Sequence, residues 1–216
     1  MESISDIKHA FYINLDSRPD RKEHVINELN KIGVKAERFN AIKLSNGALG
    51  CSFSHLKCLE FAKSNNFDHI MIVEDDILFL KPSLFCKQIN HFLKKHKHWD
   101  VILLAGNNVS SYEEIDHSCV KVSKCQTTTG YIVNGHYYDT LIQNYKEGIS
   151  KLLKEPHLHV LYAIDKYWFN LQEIHSWYLI TPLTVVQRED YSDIEKRYTN
   201  YQMVMTKLDK EWLKYS

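Results

Sequence analysis

The 216-residue chain sets 27 Lys and Arg against 27 Asp and Glu, and this balance argues against a partner held mainly by charge, such as nucleic acid. At 44% hydrophobic and 25% charged, it has the composition of an ordinary globular protein and the length for one well-buried domain. No run approaches the roughly 20 apolar residues of a membrane helix. The opening MESISDIKHA has no apolar core of a secretory signal, and five cysteines lack CxxC spacing. Together these argue against a zinc site and for reduced thiols in the cytoplasm.

Strand-like and helix-like segments alternate from the start. Phe11 to Leu15 reads as a strand. A helix follows to about Ile32, with Ser17 and Asp20 as a loose capping box, Pro19 in its first turn, Val25, Ile26 and Leu29 inward and Gly33 as its stop. Ala36 to Ile42 suits a second strand and Asn46-Gly47 a turn. A helix from about Ser52 to Ser64 has Ser52 as its cap, Leu56, Leu59 and Ala62 on its apolar face, and Cys51 and Cys58 as small apolar fillers. Ile70 to Val73 is a run of the buried parallel type, and after Pro82 a helix carries Phe85, Ile89, Phe92 and Leu93 on one side.

Asp100 to Ala105 suits another buried strand and Val120 to Gln126 an edge strand. Thr129 to Val133 feeds a long helix with Tyr138, Leu141, Ile142, Tyr145, Ile149 and Leu152 on its stripe, broken by Pro156. A helix at 164–173, a strand at 177–180 and a helix from Ser192 complete the series. The pattern specifies one α/β domain over 1–216 with a mostly parallel sheet flanked by helices, and a C-terminal helix at about 192–216 as an appendage. Tyr201, Met205, Leu208 and Trp212 share one stripe of that helix. The stripe suits packing on its own domain, a homo-oligomer contact or peripheral contact with a membrane.

The chemistry concentrates where strands end, the usual ligand position in such sheets. Ile70 to Val73 runs straight into Glu74, Asp75 and Asp76. Crowded carboxylates beside a buried strand call for a cation or several hydrogen bonds, and an acid-x-acid pair suits oxygen ligation of Mg²⁺ or Mn²⁺. If extended geometry persists, Glu74 and Asp76 share a side and Asp75 faces away. Arg18 and Arg21, after the first strand, match a diphosphate with their planar donor forks. His55 alone reads as a hydrogen-bonded structural histidine. Asp165, amid Tyr162, Tyr167, Trp168 and Phe169, has the surroundings of a sugar site, where rings stack on sugar faces and acids bind hydroxyls.

These motifs, in their order, resemble glycosyltransferase family 25: FYINLDSRPDR, GCSFSH, IVEDDI, DVILLAG, TGYIVN, Asp165 and PLTVVQREDYSDI. The likeness runs from about residue 8 to 196. It implies a single GT-A, Rossmann-like nucleotide-sugar-binding domain, a UDP-sugar donor, and transfer with inversion to a hydroxyl of a glycan or a hydroxylysine-type acceptor. The sugar is galactose by analogy, with glucose next. It implies that Glu74-Asp75-Asp76 is the DxD-type element, with Asp76 the direct ligand of Mn²⁺ or Mg²⁺ and Glu74 its partner. Asp16, Arg18 and Arg21 would lie along the uridine diphosphate, Ser54 and His55 near the phosphates or acceptor, and Gln187, Ser192 and Asp193 over the donor. The chain departs from the family around Asp165, where AIDKYW replaces a PVD-type motif. The expected catalytic base is Asp165, ahead of Asp75. The rival readings are an inactive nucleotide-sugar-binding module and a two-carboxylate glycoside hydrolase, which needs no metal.

Overall fold

The computed structural model describes residues 1–192 and 196–210. Its first half runs β1 (Ala10–Asn14), α1 (Pro19–Lys31), β2 (Glu37–Asn40), α2 (Gly47–Ser64), β3 (His69–Glu74), β4 (Ile77–Phe79) and α3 (Pro82–Lys95). Short strands follow, β5 (Val101–Leu103), β6 (Asn107–Asn108), β7 (Tyr112–Asp116), β8 (Cys119–Val122), β9 (Cys125–Gln126) and β10 (Gly130–Asn134). Next come α4 (Tyr138–Lys154), α5 (His159–Tyr162), α6 (Ile164–Tyr167), α7 (Phe169–Ile174) and β11 (Trp177–Ile180). The described chain closes with β12 (Val185–Gln187), β13 (Asp190–Ser192), β14 (Arg197–Thr199) and α8 (Gln202–Met205).

Eight strands form one sheet in the order β2-β1-β3-β10-β5-β11-β8-β7. β1 is parallel to both β2 and β3, and β11 to β5, whereas β10 and β8 are antiparallel to each neighbour. All strands except β10 and β8 therefore point the same way, which bears out a mostly parallel sheet. Helices cover both faces, and this is why its central strands read as unbroken apolar runs. Ile70, Ile72, Leu103 and Tyr131 pack with Leu59, Leu141 and Tyr145 of α2 and α4 on one face. Met71, Val73, Ile102 and Ile132 pack with Val25, Leu29, Ile89 and Phe92 of α1 and α3 on the other.

Local expectations fail where a neighbouring side chain offers a better partner. Arg18, not Ser17, occupies the cap position of α1, and the Asp20 carboxylate accepts both donors of the Arg18 fork. Ile26 is 38% exposed, so Val25 and Leu29 carry that helix's buried apolar stripe. α2 begins at Gly47 because Asn46 Oδ1 accepts the Leu49 N–H at 3.1 Å. Ser52 is thereby one turn inside the helix, donating to the Ala48 carbonyl at 2.7 Å.

The expected edge strand is interior: β8 lies between β11 and β7, and β7 is the edge. The helix at 164–173 breaks at Trp168, whose indole N–H donates to the Cys125 carbonyl at 2.9 Å. Where a helix is expected from Ser192, β13 and β14 form a hairpin and α8 is a single turn. Tyr201 and Met205 reach the core of the α1–α3 face, while Trp212 lies outside the described residues. No helix among the described residues is long and apolar enough to cross a membrane.

Leu59, fully buried between α2 and the sheet, tests the packing of the first face. Leu59→Ala is expected to lower the unfolding free energy by about 2–5 kcal/mol in urea titrations. A loss below about 1 kcal/mol would mean that the face is loosely packed.

Candidate active site

β1 and β3 are parallel neighbours paired Ile13 to Glu74, so they end side by side and open a cleft of about 880 Å³. Its walls come from the α1 start, the loop before α2, residues 126–128, α6 and the segment after β12. The loop before α2 lies against that helix so closely that a Cβ on Gly50 would sit 2.5 Å from the Ile42 carbonyl oxygen. Ser54 secures the same contact, donating to the Gly50 carbonyl at 2.7 Å and accepting the Ile42 N–H at 2.9 Å. That places Ser54 in the cleft wall as a positioning residue.

β3 ends at Glu74 and the chain turns at once. Strand alternation stops there, and all three acids line the cleft. Glu74 faces α2: its Oε1 accepts from Thr128 Oγ1 at 2.5 Å and lies 3.2 Å from His55 Nε2, and its Oε2 accepts from Gln187 Nε2 at 3.4 Å. The His55 ring is fully buried, with Nδ1 2.8 Å from the Tyr131 hydroxyl. Asp75 does not face away. Its Oδ1 accepts from Arg21 at 3.1 Å and its Oδ2 from Asn14 at 2.7 Å. Asp76 Oδ2 shares the same Arg21 nitrogen at 3.5 Å, while Asp76 Oδ1 is buried with no hydrogen-bond partner among the described residues.

The electrostatics separate the three acids. Burial, reinforced by the Glu74 charge and only partly offset by Arg21, pushes Asp76 up to about 8. Burial also raises Asp75 against the pull of Arg21 and Asn14. For Glu74 burial acts upward too, but the bond and charge of His55 and the Thr128 bond win and lower it. Asp76 is thus the acid short of a cation. Its oxygens, and the lightly engaged Glu74 Oε2, are hard donors that fit Mg²⁺ or Mn²⁺.

Across the cleft, three guanidinium groups converge on one oxygen. Asp190 Oδ2 accepts from Arg188 at 2.6 Å, Arg18 at 2.9 Å and Arg21 at 3.1 Å. The β4–β12 ladder delivers this cluster by pairing Gln187 with Ile77, and the Arg188 N–H donates to the Asp76 carbonyl at 2.7 Å. Burial raises Asp190, yet the bonds from Arg188 and the Tyr191 N–H and the charges of Arg21 and Arg18 outweigh it and hold the carboxyl well below the usual range.

On the far wall, Asp165 Oδ2 accepts the Thr127 N–H at 3.1 Å and lies 3.7 Å from Lys166 Nζ. Thr127 adopts φ 77°, a left-handed conformation costing a β-branched residue about 1–3 kcal/mol, and strain of this kind clusters at functional sites.

The cleft lining includes Arg18, Arg21, Ser54, His55, Glu74, Asp75, Asp76, Asp165, Gln187 and Ser192. Asp16 is outside it, exposed and paired with Arg38 at 2.6 Å. Asp193 falls outside the described residues. Sequence reasoning passed over Asn14, Thr127, Thr128, Arg188 and Asp190. The Arg188-Glu189-Asp190 run directly after Gln187 was one local signal; Asn14 closes the first strand, and Thr127 and Thr128 stand in a three-threonine run that points to no particular chemistry.

A mostly parallel sheet with helices on both faces and a cleft at the ends of its parallel strands is a GT-A-type fold. The solved UDP-glucose pyrophosphorylase in complex with UDP-glucose shares that fold, with a TM-score of 0.50, 9% identity, and coverage of 81% of this chain and 90% of that one. The model of glycosyltransferase family 25 (LPS biosynthesis protein) matches residues 42–168, more than half of the chain. The protein belongs to glycosyltransferase family 25. A glycosyltransferase 25 family member from Aedes aegypti is 24% identical over 205 residues, covering 79% of this chain and 32% of its own length. A procollagen lysyl hydroxylase and glycosyltransferase from Acanthamoeba polyphaga mimivirus is 20% identical over 245 residues, covering 88% of this chain and 26% of its own. The chain thus spans a third or less of these relatives.

Because Asp190 has a folded-state value below its unfolded one of about 3.9, its charge stabilises the fold above that pH and loses the effect as pH falls through the folded value. Asp190→Asn is expected to cost about 1–3 kcal/mol at pH 7. The gap should narrow at pH 3 in paired urea titrations. An unchanged gap would show that the carboxylate charge does not hold the cluster.

Proposed function

We propose that the protein is an inverting, metal-dependent glycosyltransferase that moves a hexose from a UDP-sugar to a hydroxyl. The observation that carries this reading is Asp76, buried with an unpartnered oxygen and held at a high pKa, in a cleft of a family 25 chain. Asp76, with Glu74 beside it, would hold Mn²⁺ or Mg²⁺. When bound there, the cation supplies positive charge against the negative charge that develops on the departing diphosphate.

The chain's own residues account for the rest. Arg18, Arg21 and Arg188 already gather on one carboxylate oxygen of Asp190, and a diphosphate presents the same planar forks with more oxygens and more charge. Donor binding would therefore exchange Asp190 for phosphate on these guanidinium groups. His55 and Thr128 hold Glu74 ionised and oriented. Asp165 is the preferred base. Both oxygens of Asp75 are engaged by Arg21 and Asn14, whereas Asp165 Oδ1 has no partner among the described residues and the side chain borders the cleft. Asp165 would take the acceptor proton as the hydroxyl attacks the sugar carbon opposite the departing diphosphate.

Galactose is the proposed sugar, ahead of glucose, and a glycan or hydroxylysine-type hydroxyl the proposed acceptor. Both rest on the family. The Mimivirus relative's name joins glycosyl transfer to procollagen lysyl hydroxylation, which favours the second acceptor type as a first trial.

UDP release across several UDP-sugars, with Mn²⁺ and an acceptor panel, tests the reading. EDTA should abolish turnover and Mn²⁺ restore it. Asp76→Ala is expected to lose at least about 100-fold in kcat/KM. Asp165→Asn should lose about 10²–10⁴-fold in kcat with donor KM little changed. Equal rates in wild type and Asp76→Ala would remove the metal assignment. UDP-sugar binding without transfer to any acceptor would favour a non-catalytic binding module.

A further inference from the structure

A second cluster of ligand-type side chains lies between α3 and the edge strand β7, sharing no residue with the cleft. α3 carries His91, and His96 caps its C-terminal end. The edge strand β7 ends at Asp116, and the turn into β8 begins with His117. The hairpin's register slips between Glu114 and Asp116. His91, Asp116 and His117 offer one ligand atom each within 4.8 Å of one another, and the His91 and His117 rings are 4.2 Å apart at centroid.

The cluster is set up like a site. Ser118 fixes the Asp116 carboxylate from behind, donating to Oδ1 through its N–H at 2.8 Å and its hydroxyl at 2.6 Å. Oδ2 is thereby directed toward the histidines: His96 Nε2 lies 2.9 Å and His91 Nε2 3.6 Å from it. His91 Nε2 is buried and has no hydrogen-bond partner among the described residues. A buried ring nitrogen left so is costly unless something else occupies it. Metal–ligand bonds of about 2.0–2.2 Å set ligand atoms about 3.3–3.6 Å apart in a tetrahedral shell, which matches the His91–Asp116 separation. Two imidazoles are borderline donors and the carboxylate is a hard one, a mixed set that suits zinc, with a fourth position left for water.

We propose that His91, Asp116 and His117 form a Zn²⁺ site that ties α3 to the edge hairpin, with His96 as a positioning residue that hydrogen-bonds the carboxylate. The hollow beside it, about 330 Å³, is lined by Lys87, Asn90, His91, Lys94 and His117, so the ion can enter from solvent. Lysines oppose it: Lys95 Nζ lies 3.2 Å from Asp116 Oδ2, but that side chain is more than half exposed and free to swing into water. The cysteine pattern gives no hint of the site, because the three ligands are brought together by the fold from two separate segments.

Isothermal titration of EDTA-stripped, dialysed protein with Zn²⁺ tests the proposal. Cys51→Ala serves as the parent chain, since Cys51, His55 and Glu74 form another donor cluster in the cleft. The parent should bind one Zn²⁺ per chain beyond any held by Asp76 and Glu74, and unfold at a higher temperature with it. His117→Ala, at an exposed turn position, and His91→Ala should each weaken binding by at least about tenfold. Lys87→Ala, in the same hollow, should not weaken it. Circular dichroism checks that each variant is folded. Zinc uptake of undiminished affinity in either histidine variant, or no uptake by the folded parent up to about 100 µM, overturns the site.

Discussion

Arg21 binds the functional half of the molecule together. Its side chain is 11% exposed and reaches Asp75, Asp76 and Asp190 at once, while a further nitrogen donates to the Tyr191 carbonyl. A buried cation has to be surrounded by acceptors, since desolvation costs several kcal/mol per ion without them. Meeting that requirement pulls three distant pieces of chain to one point: the first turn of α1, the turn after β3 and the β13–β14 hairpin. Arg18 and Arg188 reinforce the last contact. Among the hairpin's described residues, Tyr191 and Tyr198 pack on each other and stay exposed, and the guanidinium cluster ties the hairpin to the cleft.

The same arrangement leaves a deliberate imbalance. One guanidinium cannot satisfy Asp75 and Asp76 and Asp190 fully, and the shortfall falls on Asp76, with a buried oxygen unpartnered and its pKa raised. An apolar or amide residue there would suit the apo fold better. The cost falls at the position proposed for the cation, and a second cost falls at Thr127, where a left-handed backbone aims an N–H at Asp165.

Much of the frame was legible because burial on both faces writes itself into the sequence. Ile70–Val73, Val101–Leu103 and Tyr131–Val133 are apolar without alternation, and the long stripe of α4 keeps helical period through Leu152. What misled were short-range signals with a competitor. Ser52 has a cap's identity, but Asn46 lies earlier with a Gly after it and starts the helix first. Ser17 and Asp20 match a capping box, but Arg18 claims Asp20. The segment after 190 has mixed polarity that fits a helix, yet charge pairing to Arg18, Arg21 and Arg188 holds Asp190 in a hairpin.

The sequence by itself determined the layers, most of the strand order's raw material and the presence of acids at a buried strand's end, because hydrophobic periodicity and strand-end chemistry are local. The ordered motifs likewise pointed to family 25 before any contact was known. Tertiary structure alone decided the division of labour among Glu74, Asp75 and Asp76. One turn after Glu74 ends the two-residue alternation, so the partners of each carboxylate come from residues such as His55, Thr128, Asn14 and Gln187. Their distances along the chain carry no periodic trace of the contact. The same holds for His91, Asp116 and His117: ordinary residues in order, a cluster only once the edge hairpin packs on α3.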